Sequence, residues 1–148
     1  MEHSLLLTGL IGCSLGLSAQ NVQPPPAVAE DLRTRYPGME VKDRDSTKDG
    51  GYKAEFDDAN DREHEVFYSA EGQWSWTDHD VKRAEVPQAV WDTLAKTEYA
   101  GWTVDKKERV QTPQHKEMYE IKLEKRKQQD VYLYFLPDGT RTTAPARK

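Results

Sequence analysis

Two stretches of this chain repeat one another. Pro25, Ala27, Val28, Leu32, Tyr36, Gly38 and Val41 return as Pro87, Ala89, Val90, Leu94, Tyr99, Gly101 and Val104, first 62 residues later and, from the tyrosine on, 63. Further along, Tyr52-Lys-Ala-Glu-Phe56 returns as Tyr119-Glu-Ile-Lys-Leu123, and Val66-Phe-Tyr-Ser-Ala-Glu-Gly72 as Leu133-Tyr-Phe-Leu-Pro-Asp-Gly139, both 67 residues later. A fixed internal period means one supersecondary unit built twice. What repeats is apolar and turn residues. No acid, base or nucleophile repeats with them, so the period speaks for packing rather than for catalysis.

Each unit opens with a helical pattern. In Pro24 to Tyr36 the prolines suit a first turn, and Val28, Leu32 and Tyr36 stand four apart on one face. Pro37-Gly38 stops it. The second copy, Val86 to Tyr99, places Val90 and Leu94 on one face and stops at Ala100-Gly101. Helices of about three turns are too short to stand alone and must lie on an apolar surface. Strands supply one: Met39 to Arg44, Tyr52 to Asp57, Glu63 to Ser69 and Gln73 to Asp78, then Trp102 to Glu108, Met118 to Glu124, Asp130 to Leu136 and Thr140 to Thr143. Hairpin-length turns separate them. The expected fold is α+β: a tandem repeat of a helix and a four-stranded antiparallel meander, about 27–80 and 86–144, giving one continuous sheet of about eight strands with both helices on one face.

Residues 1–19 stand outside this plan. Leu5 to Leu17 is an uncharged apolar run that ends at Ser18-Ala19, ahead of a polar, proline-rich linker over 20–26, and it reads as a secretory signal. It is too short to span a bilayer. Leu10-Ile-Gly-Cys13 also resembles a lipobox, which makes an outer-membrane lipoprotein acylated at Cys13 the alternative to cleavage after Ala19. Either route exports the protein, to the periplasm or beyond the cell. Cys13 is the sole cysteine, so an intramolecular disulfide is excluded even in an oxidising compartment. The formal charge of −5 lacks the basic face that nucleic acid requires.

The repeated residues resemble a known family. Pro-x-Ala-Val-x-x-x-Leu at 25–32 and 87–94, Tyr-x-Gly at 36–38 and 99–101, Tyr-x-Ala/Ile-x-Phe/Leu at 52–56 and 119–123, and an apolar strand closing on Glu/Asp-Gly look like the PepSY-like family of exported bacterial proteins with a β-lactamase-inhibitor-protein-like (BLIP-like) fold. The resemblance covers roughly residues 24–143. It implies a periplasmic or surface binding protein, with inhibition of a secreted enzyme as the fold's precedent, and it supplies no catalytic residues.

Candidate chemistry is sparse. Asp57 to Glu63 gathers oxygens that calcium would accept, but Arg62 stands where a ligand would be and no turn glycine follows, so a solvated hairpin tip is the better reading. His64, His79 and His115 lack the spacing that pairs imidazoles on one strand or helix face. His79 has Asp78 and Asp80 as sequence neighbours, which would raise its pKa, though an exposed loop would screen them. Lys122 to Lys127 is basic but mixed with Glu117, Glu120 and Glu124, as in a solvated hairpin arm. Neither a nucleophile elbow nor a phosphate loop occurs, so no catalytic residue, metal or cofactor is expected.

Aromatic residues remain. If Val131, Leu133 and Phe135 face the helices, alternation sends Tyr132 and Tyr134 to the opposite side, and Phe67 likewise opposes Val66 and Tyr68. Trp74 and Trp76, two apart, are expected to share a side. With no third layer in the sequence, Phe67, Tyr132 and Tyr134, joined by Trp74 and Trp76, are the candidate surface for an envelope or secreted protein partner. A homodimer partner or long charged side chains are the other ways to cover it. Membrane contact would follow only from lipidation at Cys13. The alternative function is small-ligand or envelope-stress sensing, marked by a cavity between the helices lined by Tyr36, Trp91 and Tyr99.

Overall fold

The computed structural model describes residues 22–145. The expected leader, its cleavage after Ala19 and the lipidation alternative at Cys13 lie outside the described residues. Within them the order helix-then-four-strands occurs twice. Helix α1 (Pro26–Arg35) precedes β1 (Val41–Ser46), β2 (Tyr52–Asp57), β3 (Glu63–Tyr68) and β4 (Trp74–Asp80); a 3-10 turn (Arg83–Glu85) leads into α2 (Gln88–Leu94), then β5 (Thr103–Gln111), β6 (Met118–Glu124), β7 (Val131–Phe135) and β8 (Arg141–Thr142). The eight strands form one antiparallel sheet in sequence order.

Alternation decides which side chains meet the helices. In β2, Tyr52, Ala54 and Phe56 are buried while Lys53, Glu55 and Asp57 between them are not. The inner residues join Val66 and Tyr68 of β3 beneath Val28 and Leu32 of α1. In the second half Val90, Trp91 and Leu94 of α2 close over Tyr119, Ile121, Leu123, Leu133 and Phe135. Registers Ala54↔Val66↔Thr77↔Gln111 and Arg109↔Tyr119↔Phe135 carry one face continuously across the sheet, so both helices lie on the same side. Burying each of these leucine or valine side chains contributes about 1.5–3 kcal/mol, which is what holds helices this short in place.

Polar pins add direction to the first docking. The Tyr68 hydroxyl donates to Asp31 at 2.7 Å, and Asp31 accepts two bonds from Arg35 at 2.9 and 3.0 Å. The Arg35 guanidinium in turn lies 4.0 Å over the Trp74 ring. Burial works to raise the Asp31 pKa, but the bonds from Arg35 and Tyr68 outweigh it and hold the carboxyl below its ordinary value.

Several element ends differ from expectation. Helix α2 stops at Leu94 because Thr97 back-bonds to the Leu94 carbonyl at 2.7 Å and receives the Tyr99 amide on its hydroxyl, drawing the chain off the helical path. Strand β5 runs to Gln111 and β4 to Asp80, since these ends pair to join the two halves through four residue pairs, Thr77↔Gln111 to Asp80↔Glu108. Strand β8 is only two residues long.

Candidate functional site

The face away from the helices is built by the alternate residues of the same strands. Its middle is a small apolar layer in which Trp76, Val110 and Met118 are fully buried and Phe67, Tyr134 and Leu136 pack around them half-buried. The Trp76 ring meets Tyr134 edge-on at 6.3 Å, and its indole N–H donates to Asp78. Tyr132, next on the outward row of β7, is 49% exposed.

Phe67, Tyr132 and Tyr134 therefore share the helix-free face. The tryptophans do not share a side, and the expectation that they would is corrected here. The pairing shifts between Phe67 and Tyr68, so that Phe67 faces Trp76 while Tyr68 faces Trp74. Such a bulge adds a residue to one strand and reverses its alternation. Trp74 accordingly packs on the helix side, its indole donating to Thr77 at 2.9 Å. Trp76 remains on the open side but at 0% exposure it forms the floor of the patch rather than its contact surface.

Charge surrounds the rings in transverse rows. Glu55, Glu65 and Asp78 lie abreast on β2, β3 and β4, and Asp80, Glu108, Glu120 and Tyr134 abreast on β4 to β7. Four lysines pair with carboxylates of this face, Lys42 with Asp57 at 2.6 Å and the other three each with more than one. Lys53 is paired with Glu55 and Glu65, Lys106 with Glu108 at 2.5 Å and Asp80 at 3.7 Å, and Lys122 with Asp105, Glu124 and Asp130 at 2.7–3.2 Å. Asp78, Glu108 and Glu120 are buried. Burial pushes the Glu108 pKa up, the Lys106 ammonium opposes this, and the neighbouring Glu120 adds to it, leaving Glu108 above the ordinary value.

The helix side holds a polar seam that residue spacing along the chain did not suggest. His64 and His79 are direct cross-strand partners with ring centroids 4.3 Å apart, and His64 also stacks on Phe56. Turn arithmetic alone does not find them: the Ala70-Glu-Gly72 loop sets Ser69 against Gln73, which would put 64 opposite 78, and only the bulge moves the partner to 79. His79 lies in a strand and not in an exposed loop, and alternation sends Asp78 and Asp80 to the other face. Burial first, then His64, Arg62 and Arg109, push its pKa down to about 4, opposite to the rise its sequence neighbours suggested. With two arginines facing the pair, the seam is a poor cation site. Among the described residues no group of three or more His, Cys, Asp or Glu is placed to hold a metal ion.

The remaining candidates are accounted for locally. Asp58 accepts the Asn60 and Arg62 amides at 2.8 and 3.1 Å and caps the β2–β3 turn, and these backbone bonds lower its pKa to about 2. Tyr36 bonds Thr77 at 2.5 Å and lines a cavity of about 170 Å³ beneath α1. Tyr99 packs edge-on to Trp102 at 5.2 Å, and Trp91 lies under Arg83. The three residues expected to mark a sensor cavity thus have separate partners. A cavity of about 460 Å³ instead opens at the sheet end, between Gln73 and Trp74, Pro113 and His115, and Thr143 and Pro145.

Two short helices on one side of an eight-stranded antiparallel meander, with the other side uncovered by helices, define an α+β fold. The chain belongs to the family described as "Putative beta-lactamase-inhibitor-like, PepSY-like", whose model matches residues 50–141. Among solved structures it is similar to a DUF2874 family protein from Bacteroides ovatus, at 24% identity and TM-score 0.70, over 82% of this chain and 86% of that one. A DUF2874 family protein from Bacteroides uniformis is 25% identical, with TM-score 0.67 over 82% and 88% of the two chains. A BLIP-like protein from Bacteroides fragilis is 23% identical, with TM-score 0.68 over 86% and 89%. No curated protein matches the chain. Among the described residues no helix is long and apolar enough to cross a membrane.

Proposed function

We propose that this is an exported, non-catalytic binding protein that holds another envelope or secreted protein, in the periplasm or outside the cell, against its open sheet face through Phe67, Tyr132 and Tyr134. The carrying observation is the exposed Tyr132 on the outward row of β7, next to Tyr134, which with Phe67 from β3 packs half-buried on the fully buried floor of Trp76, Val110 and Met118. Rings on a rigid, packed support lose little freedom on binding, and aromatic anchors of this kind dominate protein interfaces. Export is supported by the apolar run of residues 5–17. The inhibitor-like description of the family agrees with binding rather than turnover.

A photo-crosslinking amino acid at position 132, expressed in the native host, tests this. An adduct of defined mass should form from 132 and not from position 33 on α1, and Phe67→Ala should weaken its capture while the melting temperature stays within a few degrees. Equal adducts from both faces would refute the assignment, as would an adduct of twice the protein's own mass, which would mark a homodimer.

A further inference from the structure

The cavity of about 460 Å³ at the sheet end has a wall whose chemistry selects a ligand. Beyond the protein-binding role just given, we propose that this cavity is a binding site for a neutral carbohydrate, held by the side-chain amides and hydroxyls of Gln73, Gln114, Thr142 and Thr143 against the Trp74 ring.

The wall is built where the β3–β4 turn, the β5–β6 loop and the chain from Thr142 onward converge, and its volume falls within the roughly 300–1,000 Å³ of small-molecule sites. Among the described residues that line it there is no Asp, Glu, Lys or Arg, although 32% of the chain is charged. An ionised ligand would be desolvated there without a counter-charge, which is costly, so the wall favours an uncharged one. Its polar groups then narrow the class. The Ser69 hydroxyl is taken up by its own turn, accepting the Glu71 and Gln73 amides at 3.3 Å. The side chains of Gln73, Gln114, Thr142 and Thr143, by contrast, make no hydrogen bond to another described residue. Amides and hydroxyls offer donor and acceptor at one place, which is the pattern that the successive hydroxyls of a sugar present in return. A lipid chain or an apolar segment would cover these groups and leave them unpaired, at the cost of their desolvation. Trp74 supplies the other half of the recognition. An aromatic face is negative and packs well on the C–H groups of a sugar ring. The indole is already held in place, donating to Thr77 at 2.9 Å with the Arg35 guanidinium 4.0 Å over the ring, so little freedom remains to be lost on binding.

The probe is an array of neutral oligosaccharides built from hexose, N-acetylhexosamine and deoxyhexose units, printed beside uronate-bearing and sialylated glycans and an (Ala-Pro)6 peptide, and the full chain is applied to it. Neutral oligosaccharides should retain the protein. Calorimetric titration with the best-retained one should show Gln73→Ala and Gln114→Ala each weakening affinity by about three- to tenfold, the scale of one neutral hydrogen bond. Both residues are exposed, in a turn and a loop, so the melting temperatures of these variants should match the parent and lost binding will not be lost folding. Gln88→Ala and Gln128→Ala, which remove the same amide from α2 and from the β6–β7 turn, should stay within about twofold. Retention by acidic glycans alone, by the peptide as strongly as by any oligosaccharide, or by nothing on the array would overturn the proposal, as would equal weakening by the cavity variants and the controls. The crosslink at position 132 is independent of all these outcomes, since it reports on the sheet face and not on the cavity.

Discussion

Two hairpin tips make the same turn against different obstacles, and the difference can be measured. Ser69 and Gln73, and likewise Leu136 and Thr140, are linked by backbone bonds of 2.8 and 2.9 Å around three-residue loops whose last residue is glycine, with φ of +78° at Gly72 and +84° at Gly139. A three-residue hairpin loop needs this left-handed residue, and an L side chain there costs about 1–2 kcal/mol. Beyond that shared strain the two sites part. A Cβ on Gly72 would meet Val28 Cγ2 at 3.5 Å, an ordinary contact, whereas on Gly139 it would lie 2.4 Å from the Ala89 carbonyl oxygen and 2.8 Å from its carbon. That obstacle is the backbone of α2 and cannot rotate aside, so the helix must shift, at a further cost of about 1–3 kcal/mol. Gly72→Ala should therefore destabilise by about 1–2 kcal/mol and Gly139→Ala by about 2–5 kcal/mol. Urea denaturation of both variants decides it. Equal losses would show that the β7–β8 tip does not abut α2, and a larger loss at Gly72 would reverse the assignment of contacts.

Further outcomes follow from the packing. Leu32→Ala and Leu94→Ala, at matched buried positions on the two helices, should each cost about 2–5 kcal/mol in chemical denaturation; an unmoved midpoint would mean that helix is not docked. His79, held neutral in the fold to about pH 4 but titrating near 6.5 when unfolded, contributes stability that is whole above pH 6.5 and lost as pH falls toward 4. The loss should be on the order of 1–2 kcal/mol after allowing for its partial exposure. His79→Gln should flatten the stability profile in that window, and an unchanged slope would refute the assignment.

Most of this fold was readable because strand periodicity and a strand's neighbours carry the same information. The outward row of Phe67, Tyr132 and Tyr134 required only that Val66, Tyr68, Val131, Leu133 and Phe135 face the helices, and alternation is local. The bulge opposite Phe67 was not readable, since one extra residue in a strand leaves no mark in composition yet reverses every side chain beyond it, which is why Trp74 and Trp76 part company. The length of α2 was hidden for a related reason: the apolar spacing continues to Tyr99, but the Thr97 hydroxyl competes for the carbonyl that the helix would use. The charges of the open face depend on a longer chain of steps. Glu55 beside Glu65, Glu65 beside Asp78 and Glu108 beside Glu120 become rows only when three hairpin registers are set together, and each register rests on a turn. Like charges directly opposed weaken a sheet, and here the face relieves them with its own side chains: Lys53 pairs with both Glu55 and Glu65, and Glu108 is hydrogen-bonded to Glu120 and ion-paired with Lys106.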